Sequence, residues 1–148
     1  MTPEALAYPF VFIAVFFESF ILVTLLSKPA RAARARMPGS AAPSVAVVVP
    51  CYNEEGTVAA TCESLLALSY PSGKLNIILV DDGSTDATGT VIARFAGHPQ
   101  VRIISKENGG KHTAINLGIE MAEDAEFVGC LDADSFVAAD ALKEIIPC

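Results

Sequence analysis

The sequence predicts an α/β domain with a mostly parallel sheet, preceded by one transmembrane helix. Three observations predict this. From Ser44 onward, short runs of β-branched residues alternate with segments of helical periodicity. Polar residues cluster directly after each of those runs, where ligands of parallel sheets bind. Before Ser44, a long apolar block is followed by a cluster of basic residues.

Residues 1–7 form an N-terminal tail, and residues 8–27 form the predicted membrane helix. Tyr8 to Leu26 is apolar apart from Glu18, Ser19 and Thr24, and this block lifts the hydrophobic content of the chain to 52%. About twenty such residues span a hydrocarbon core of about 30 Å as a helix. A cleaved signal peptide would carry its positive charge in front of a shorter apolar core. Here Glu4 precedes the block without any Lys or Arg, and Lys28, Arg31, Arg34 and Arg36 follow it. That asymmetry predicts a single-pass anchor in the plasma (inner) membrane with the following domain in the cytoplasm. Glu18 falls in mid-span, where a carboxylate is costly and is expected to be protonated or to face another helix. Residues 28–43, rich in Ala, Arg and Pro, read as a basic juxtamembrane linker able to meet anionic lipid headgroups.

Residues 44–148 hold the alternating pattern. Val45-Ala-Val-Val-Val49 is a continuous apolar run, as expected of a strand buried on both faces. Thr57 to Leu68 carries Val58, Cys62, Leu65, Leu66 and Leu68 at helical spacing, and Pro71-Ser72-Gly73 ends that helix. Leu75 to Val80 is a second buried strand, and Asp86 to Phe95 a second helix with Val91, Ile92 and Phe95 on one face. Val101 to Ile104 predicts a third strand and Thr113 to Met121 a third helix. Glu126 to Leu131 predicts a fourth buried strand, followed by a helix from Ala139 to Ile146. Helical crossovers between strands imply right-handed connections and a sheet covered on both sides.

Charge excludes one class of partner. The chain carries −7 overall, but residues 44–148 hold six Lys/Arg against fifteen Asp/Glu, a net of −9. An acidic domain lacks the basic surface that nucleic acid requires. A phosphorylated ligand would need a metal ion or a few placed cations. Cys51, Cys62, Cys130 and Cys148 show no metal-ligand spacing and read as free thiols in a reducing compartment.

The loops after the four strands carry the candidate chemistry. They are Pro50-Cys51-Tyr52-Asn53-Glu54, Asp81-Asp82-Gly83-Ser84, Ser105 to Lys111, and Asp132-Ala133-Asp134-Ser135. An acidic turn such as the second is often only a helix cap. Paired carboxylates at a strand end also suit a ligand base. Asp132 and Asp134, two residues apart in an extended segment, project to the same side. Oxygen ligands of this kind favour Mg²⁺ or Mn²⁺, and Mg²⁺ commonly combines one or two carboxylates with substrate phosphates. Gly109-Gly110-Lys111 is not a Walker loop, because Ser105 and His112 stand where Gly and Ser or Thr are required. It remains a glycine-rich entry to a helix, suited to an anion. No GxGxxG follows the first strand, which excludes the dinucleotide-binding fingerprint. His98 and His112 read as surface or helix-end residues.

Together the runs Val48-Val-Pro-Cys-Tyr-Asn-Glu-Glu55, Leu79-Val-Asp-Asp-Gly-Ser-Thr-Asp86, Asn108-Gly-Gly-Lys with Asn116, and Leu131-Asp-Ala-Asp-Ser135 resemble the family 2 glycosyltransferases of the GT-A fold. The resemblance covers Ser44 to Cys148. Within the family it is nearest the processive bacterial polysaccharide synthases, the hyaluronan, cellulose and poly-N-acetylglucosamine group. It implies a Rossmann-like half that binds a nucleotide-diphospho-sugar, most simply a UDP-sugar, and passes the sugar to a glycan or lipid-linked acceptor by inverting transfer. It further implies that Pro50, Tyr52, Asn53, Glu54, Asp81 and Asp82 hold the nucleoside, with Asp82 facing a uracil ring. Lys111 would contact the diphosphate, supported by Asn116, and Asp132 and Asp134 would hold Mg²⁺ or Mn²⁺, with Asp132 nearer the sugar.

Members of the family continue past this point with further strands, a later acidic motif that supplies the general base, a Gln-x-x-Arg-Trp motif and more membrane helices. The present sequence ends at Cys148 and has no Trp. The expectation is therefore an N-terminal portion, with the base beyond residue 148, that binds donor without turnover. Two alternatives stand beside the synthase reading: a polyprenyl-phosphate glycosyltransferase, which shares the first two motifs, and a truncated nucleotide-sugar-binding protein. A nucleotidyltransferase is disfavoured because Pro50 to Glu55 lacks the glycine- and basic-rich loop of that class.

Overall fold

The computed structural model describes Ile13, residues 15–21 and residues 42–146. The chain divides into two units, Met1–Ala35 and Arg36–Cys148. In the first, Ile13 and residues 15–21 are helical, and the apolar side chains Ile13, Val15, Phe16, Phe17, Phe20 and Ile21 are all exposed. Among the described residues no helix is long and apolar enough to cross a membrane. The rest of the predicted span 8–27, and all of the linker 28–43 except Ala42 and Pro43, lies outside the described residues.

The second unit is a four-stranded sheet with every strand parallel. In chain order its elements are β1 (Val45–Cys51), α1 (Val58–Leu66), a 3₁₀ turn (Ser72–Lys74), β2 (Leu75–Asp81), α2 (Thr88–Ala93), β3 (Val101–Ser105), α3 (Lys111–Glu120), β4 (Phe127–Cys130) and α4 (Ala141–Ile145). The order across the sheet is β3-β2-β1-β4. The chain thus steps outward from β1 through β2 to β3, then crosses back over the sheet through α3 to place β4 on the other side of β1. That reversal creates a switch point at the carboxyl ends of β1 and β4, the usual ligand position in open parallel sheets.

Strand alternation divides the core in two. Val45, Val47, Val49 and Cys51 of β1, with Leu75, Ile77 and Leu79 of β2, face α1 and α2 through Val58, Cys62, Leu65, Val91 and Ile92. Ala46, Val48, Ile78 and Val80 face the opposite way, against Ala114 of α3 and Ala122. β1 is buried at every residue, as its continuous apolar run requires. α3 lies so close to β1 that a Cβ on Gly118 would sit 2.2 Å from Val48 Cγ1, so only glycine fits there.

Some expectations need correction. The fourth strand is not buried: all four residues of β4 are exposed, because it is an edge strand paired only to β1 among the described strands. β1 and β2 each run further than expected, to the ladder pair Cys51–Asp81, so Asp81 belongs to a strand rather than a loop. α3 begins at Lys111, two residues before the expected Thr113. Its N-cap is Gly110, at φ 92°, a left-handed backbone that glycine adopts without strain and that turns the loop sharply into the helix.

Candidate functional site

The four strand-end loops converge on a cleft of about 390 Å³ at the switch point. β1 contributes Pro50, Cys51, Tyr52 and Glu54, and β2 contributes Asp82. The loop entering α3 brings Asn108, Gly110 and Lys111, and the segment after β4 brings Asp132, Ala133 and Asp134. Of the residues expected in a site, Pro50, Tyr52, Glu54, Asp82, Lys111, Asp132 and Asp134 share this lining. Asn53, Asp81 and Asn116 do not.

Asn53 is turned toward the second loop. It takes φ 55°, a left-handed conformation that asparagine tolerates better than most residues. Its amide donates to Ser84 Oγ (3.0 Å), and its Oδ1 accepts from the Thr85 amide (2.8 Å). The neighbouring residues repeat the pattern: the Glu54 amide donates to Thr88 Oγ1 (2.7 Å), and the Ala87 amide donates to Glu55 Oε2 (2.7 Å). The first two loops are therefore one cross-linked wall. Asp81 closes the second loop on itself, accepting from the Ser84 amide (3.0 Å). Asn116 is exposed on α3.

Asp82 is 2% exposed, and its carboxylate is fully engaged. It pairs with the Lys106 ammonium and accepts from the amides of Gly109 (3.0 Å) and Gly110 (2.9 Å). Lys106 also donates to Thr113 Oγ1 (2.8 Å). Burial raises the Asp82 carboxyl, but the Lys106 hydrogen bond, the two glycine amides and the Lys106 charge together bring it below the ordinary aspartate value. Sequence reasoning assigned no role to Lys106, and its only signal was its place in the polar loop after β3. The result is a latch that holds the Gly109-Gly110 turn, and so the start of α3, against the end of β2.

The latch predicts a pH dependence. A carboxyl depressed in the folded state contributes stability in full above its unfolded value of about 3.9 and loses it as pH falls through the folded value. Asp82→Asn removes the ion pair and leaves the Lys106 ammonium without its carboxylate. The variant should melt below the parent protein at neutral pH, and the gap should narrow as pH drops below about 4. Thermal unfolding of both proteins from neutral pH to about 2 checks this; a gap that widens in acid refutes it.

Lys111, the first residue of α3, extends over the cleft to Asp132 Oδ1 at 2.7 Å. Both side chains are about half exposed. The hydrogen bond to Asp132 raises the Lys111 ammonium above its usual range, so it is charged at neutral pH. Ala133 is buried in the core while Asp132 and Asp134 on either side are exposed in the cleft; the triplet is not the expected extended segment but a turn, closed by the Ser135 amide donating to the Asp132 carbonyl (3.0 Å). Among the described residues no group of three or more His, Cys, Asp or Glu side chains converges on one point. Two carboxylates with hard oxygen donors fit Mg²⁺ or Mn²⁺ only where a ligand's own phosphate oxygens complete the shell. Burial first, then the Asp81 charge, pushes the Cys51 thiol up to about 12, which holds it as the neutral thiol at neutral pH.

An open parallel sheet with this cleft has close counterparts. The family model described as glycosyl transferase family 2 matches residues 46–147. Poly-beta-1,6-N-acetyl-D-glucosamine synthase of Staphylococcus epidermidis is 40% identical over 98 residues, which are 66% of this chain and 23% of that protein. Beta-monoglucosyldiacylglycerol synthase of a Nostoc species is 31% identical over 109 residues, 71% of this chain and again 23% of the relative. The chain thus spans about a quarter of the length of the curated relatives it matches. Among solved structures, Staphylococcus aureus TarS 1-349 in complex with UDP-GlcNAc superposes with a TM-score of 0.64 at 27% identity, covering 69% of this chain and 30% of that one. The mannosyltransferase PcManGT from Pyrobaculum calidifontis, in complex with GDP-Man and Mn²⁺, gives a TM-score of 0.74 at 30% identity over 90% of this chain and 39% of that one. With a family model matching most of its length and the strand-end cleft in the place that fold dictates, the chain belongs to glycosyl transferase family 2.

Proposed function

We propose that this chain is the donor-binding portion (residues 44–148) of a membrane-anchored glycosyltransferase that takes a sugar from a UDP-sugar. The observation that carries the reading is the meeting of Lys111, Asp132 and Asp134 in one cleft with Tyr52, Glu54 and Asp82. The first three offer one cation and two carboxylates to a diphosphate and its metal. Tyr52 and Glu54 would face the nucleoside, with Asp82, whose carboxylate holds Lys106 and the Gly109 and Gly110 amides, in the wall behind them beside Asn53 and Asp81, and Asn116 on the helix that carries Lys111. Likeness to a protein solved with UDP-GlcNAc supports a uridine donor, and likeness to one solved with GDP-Man and Mn²⁺ supports the metal.

Departure of a nucleoside diphosphate concentrates negative charge on its outer phosphate. Lys111 stabilises that charge as it develops, which is where binding energy accelerates a reaction. Asp132 and Asp134 would hold Mg²⁺ or Mn²⁺, which would supply further positive charge toward the departing phosphate. An inverting transfer also needs a general base for the acceptor hydroxyl, a role assigned to no residue of this cleft. The acceptor is a glycan or a lipid-linked group; relatives named for a polysaccharide and for a glycolipid product support both. The exposed apolar side chains around the helical residues 15–21 support a membrane anchor over 8–27, followed by the linker 28–43 on the cytoplasmic side.

Calorimetric titration of the chain with UDP, GDP and UDP-GlcNAc, with and without Mn²⁺, tests the reading. The expected result is UDP binding that depends on Mn²⁺ and exceeds GDP binding. A folded protein that takes up no nucleotide would remove the proposal.

A further inference from the structure

Thr61 lies in the middle of α1 and is fully buried, far in sequence from the cleft loops. Its hydroxyl stands 2.7 Å from the carbonyl oxygen of Ala133 and 3.3 Å from that of Thr57. A hydroxyl has one proton to donate, and the shorter bond takes it. The acceptor is the peptide group between the two cleft aspartates. Ala133 is itself 4% exposed and packed into the α1 side of the core, so this carbonyl is satisfied inside the protein. Beyond it two more contacts tie the same segment to α1 and to the chain that follows it. The Val137 amide donates to Ser64 Oγ (3.4 Å), and the Ser69 amide donates to the Ala139 carbonyl (2.7 Å). Of the three, only the Thr61 bond falls inside the triplet.

We propose that Thr61 is a positioning residue, whose hydroxyl pins the Ala133 peptide and thereby sets the direction of Asp132 and Asp134 into the cleft. The inference rests on the donor-site reading. An exposed aspartate on a loose segment samples many directions, and ordering it on binding costs entropy. Anchoring the intervening peptide to a helix removes that cost beforehand. The flanking geometry agrees: the Leu131 amide is held by the Val48 carbonyl (3.0 Å), and the Ser135 amide closes a turn on the Asp132 carbonyl (3.0 Å), so the triplet is a closed turn leaving a fixed strand end, with Thr61 tying its centre to α1.

Thr61→Val keeps shape and volume but removes the donor; Thr61→Ser keeps the donor and removes a methyl group. In the full chain, Mn²⁺-dependent UDP affinity should fall on the order of ten-fold in Thr61→Val, as when groups supporting metal ligands are removed. It should stay at the parental value in Thr61→Ser. Ile92→Val, which trims the core at α2, should lower Tm without changing affinity. Amide hydrogen exchange across residues 131–136 should quicken in Thr61→Val and return to the parental rate in Thr61→Ser. Thr61→Ala carries the same expectation should the valine variant fold poorly. Parental affinity and exchange in Thr61→Val would overturn the proposal, as would affinity losses that follow Tm across all the variants. If the parent protein binds no UDP, the donor-site reading fails, and the exchange comparison alone decides whether Thr61 pins the triplet.

Discussion

Asp134→Ala is expected to remove Mn²⁺-dependent UDP binding while leaving the protein as stable as its parent. Asp134 is exposed, and among the described residues its side chain accepts only a long hydrogen bond (3.4 Å) from neighbouring Ser135. Surface substitutions free of such features seldom move stability by more than about 0.5 kcal/mol. A charged ligand group, by contrast, is worth about 1.5–3 kcal/mol, a loss of about ten- to a hundred-fold in affinity. Asp132→Ala should differ in kind, because it also releases the Lys111 ammonium from its ion pair. Metal-free UDP binding, carried by Lys111, should therefore persist or strengthen in Asp132→Ala and stay unchanged in Asp134→Ala. Titrations of the two variants with and without Mn²⁺ separate these outcomes. Retention of full Mn²⁺-dependent affinity in Asp134→Ala would refute a metal role for that residue.

The sheet was readable because its two central strands are largely apolar, half of their residues β-branched, and buried at every position but Asn76, a strong local signal. β4 was readable as a strand but not as an exposed one. Phe127, Val128 and Cys130 look like core residues in sequence, and burial depends on how many neighbours the strand acquires. Strand and helix ends shifted by one or two residues for a similar reason. The pairing of Cys51 with Asp81, and the φ of Gly110, are decided by register and by the Asp82 latch rather than by local preference. Strand-end position sufficed to gather Tyr52, Glu54, Asp82, Lys111, Asp132 and Asp134 at one cleft. It could not show that Asn53 turns its side chain to Thr85, that Lys106 reaches Asp82, or that Thr61 reaches Ala133. Each of those contacts joins residues brought together only by the crossovers, and no spacing in the sequence encodes them.

Gly118 should tolerate no side chain at all, and the reason links stability to the cleft. Replacing glycine by alanine inside a helix ordinarily gains about 0.8–1 kcal/mol. At this position the added Cβ would meet Val48 Cγ1 at 2.2 Å, Cγ2 at 3.0 Å and Cβ at 3.2 Å. Val48 is fully buried in the centre of β1, in a core whose close packing resists rotation of its side chain. Relief therefore requires α3 to move away from the sheet, and overpacking of this sort costs about 1–3 kcal/mol. Gly118→Ala should thus be net destabilising by up to about 2 kcal/mol in denaturant titration, the opposite of the propensity expectation. The clash names its own suppressor. Val48→Ala alone leaves a cavity, but combined with Gly118→Ala it gives the new methyl room, so the double variant should be more stable than the two single losses add up to. Because α3 begins at Lys111, a lifted helix also carries that ammonium away from Asp132. UDP affinity should fall in Gly118→Ala and recover in the double variant. Additive losses, or an alanine variant as stable as the parent, would show that α3 does not rest on Val48 as closely as the structure has it.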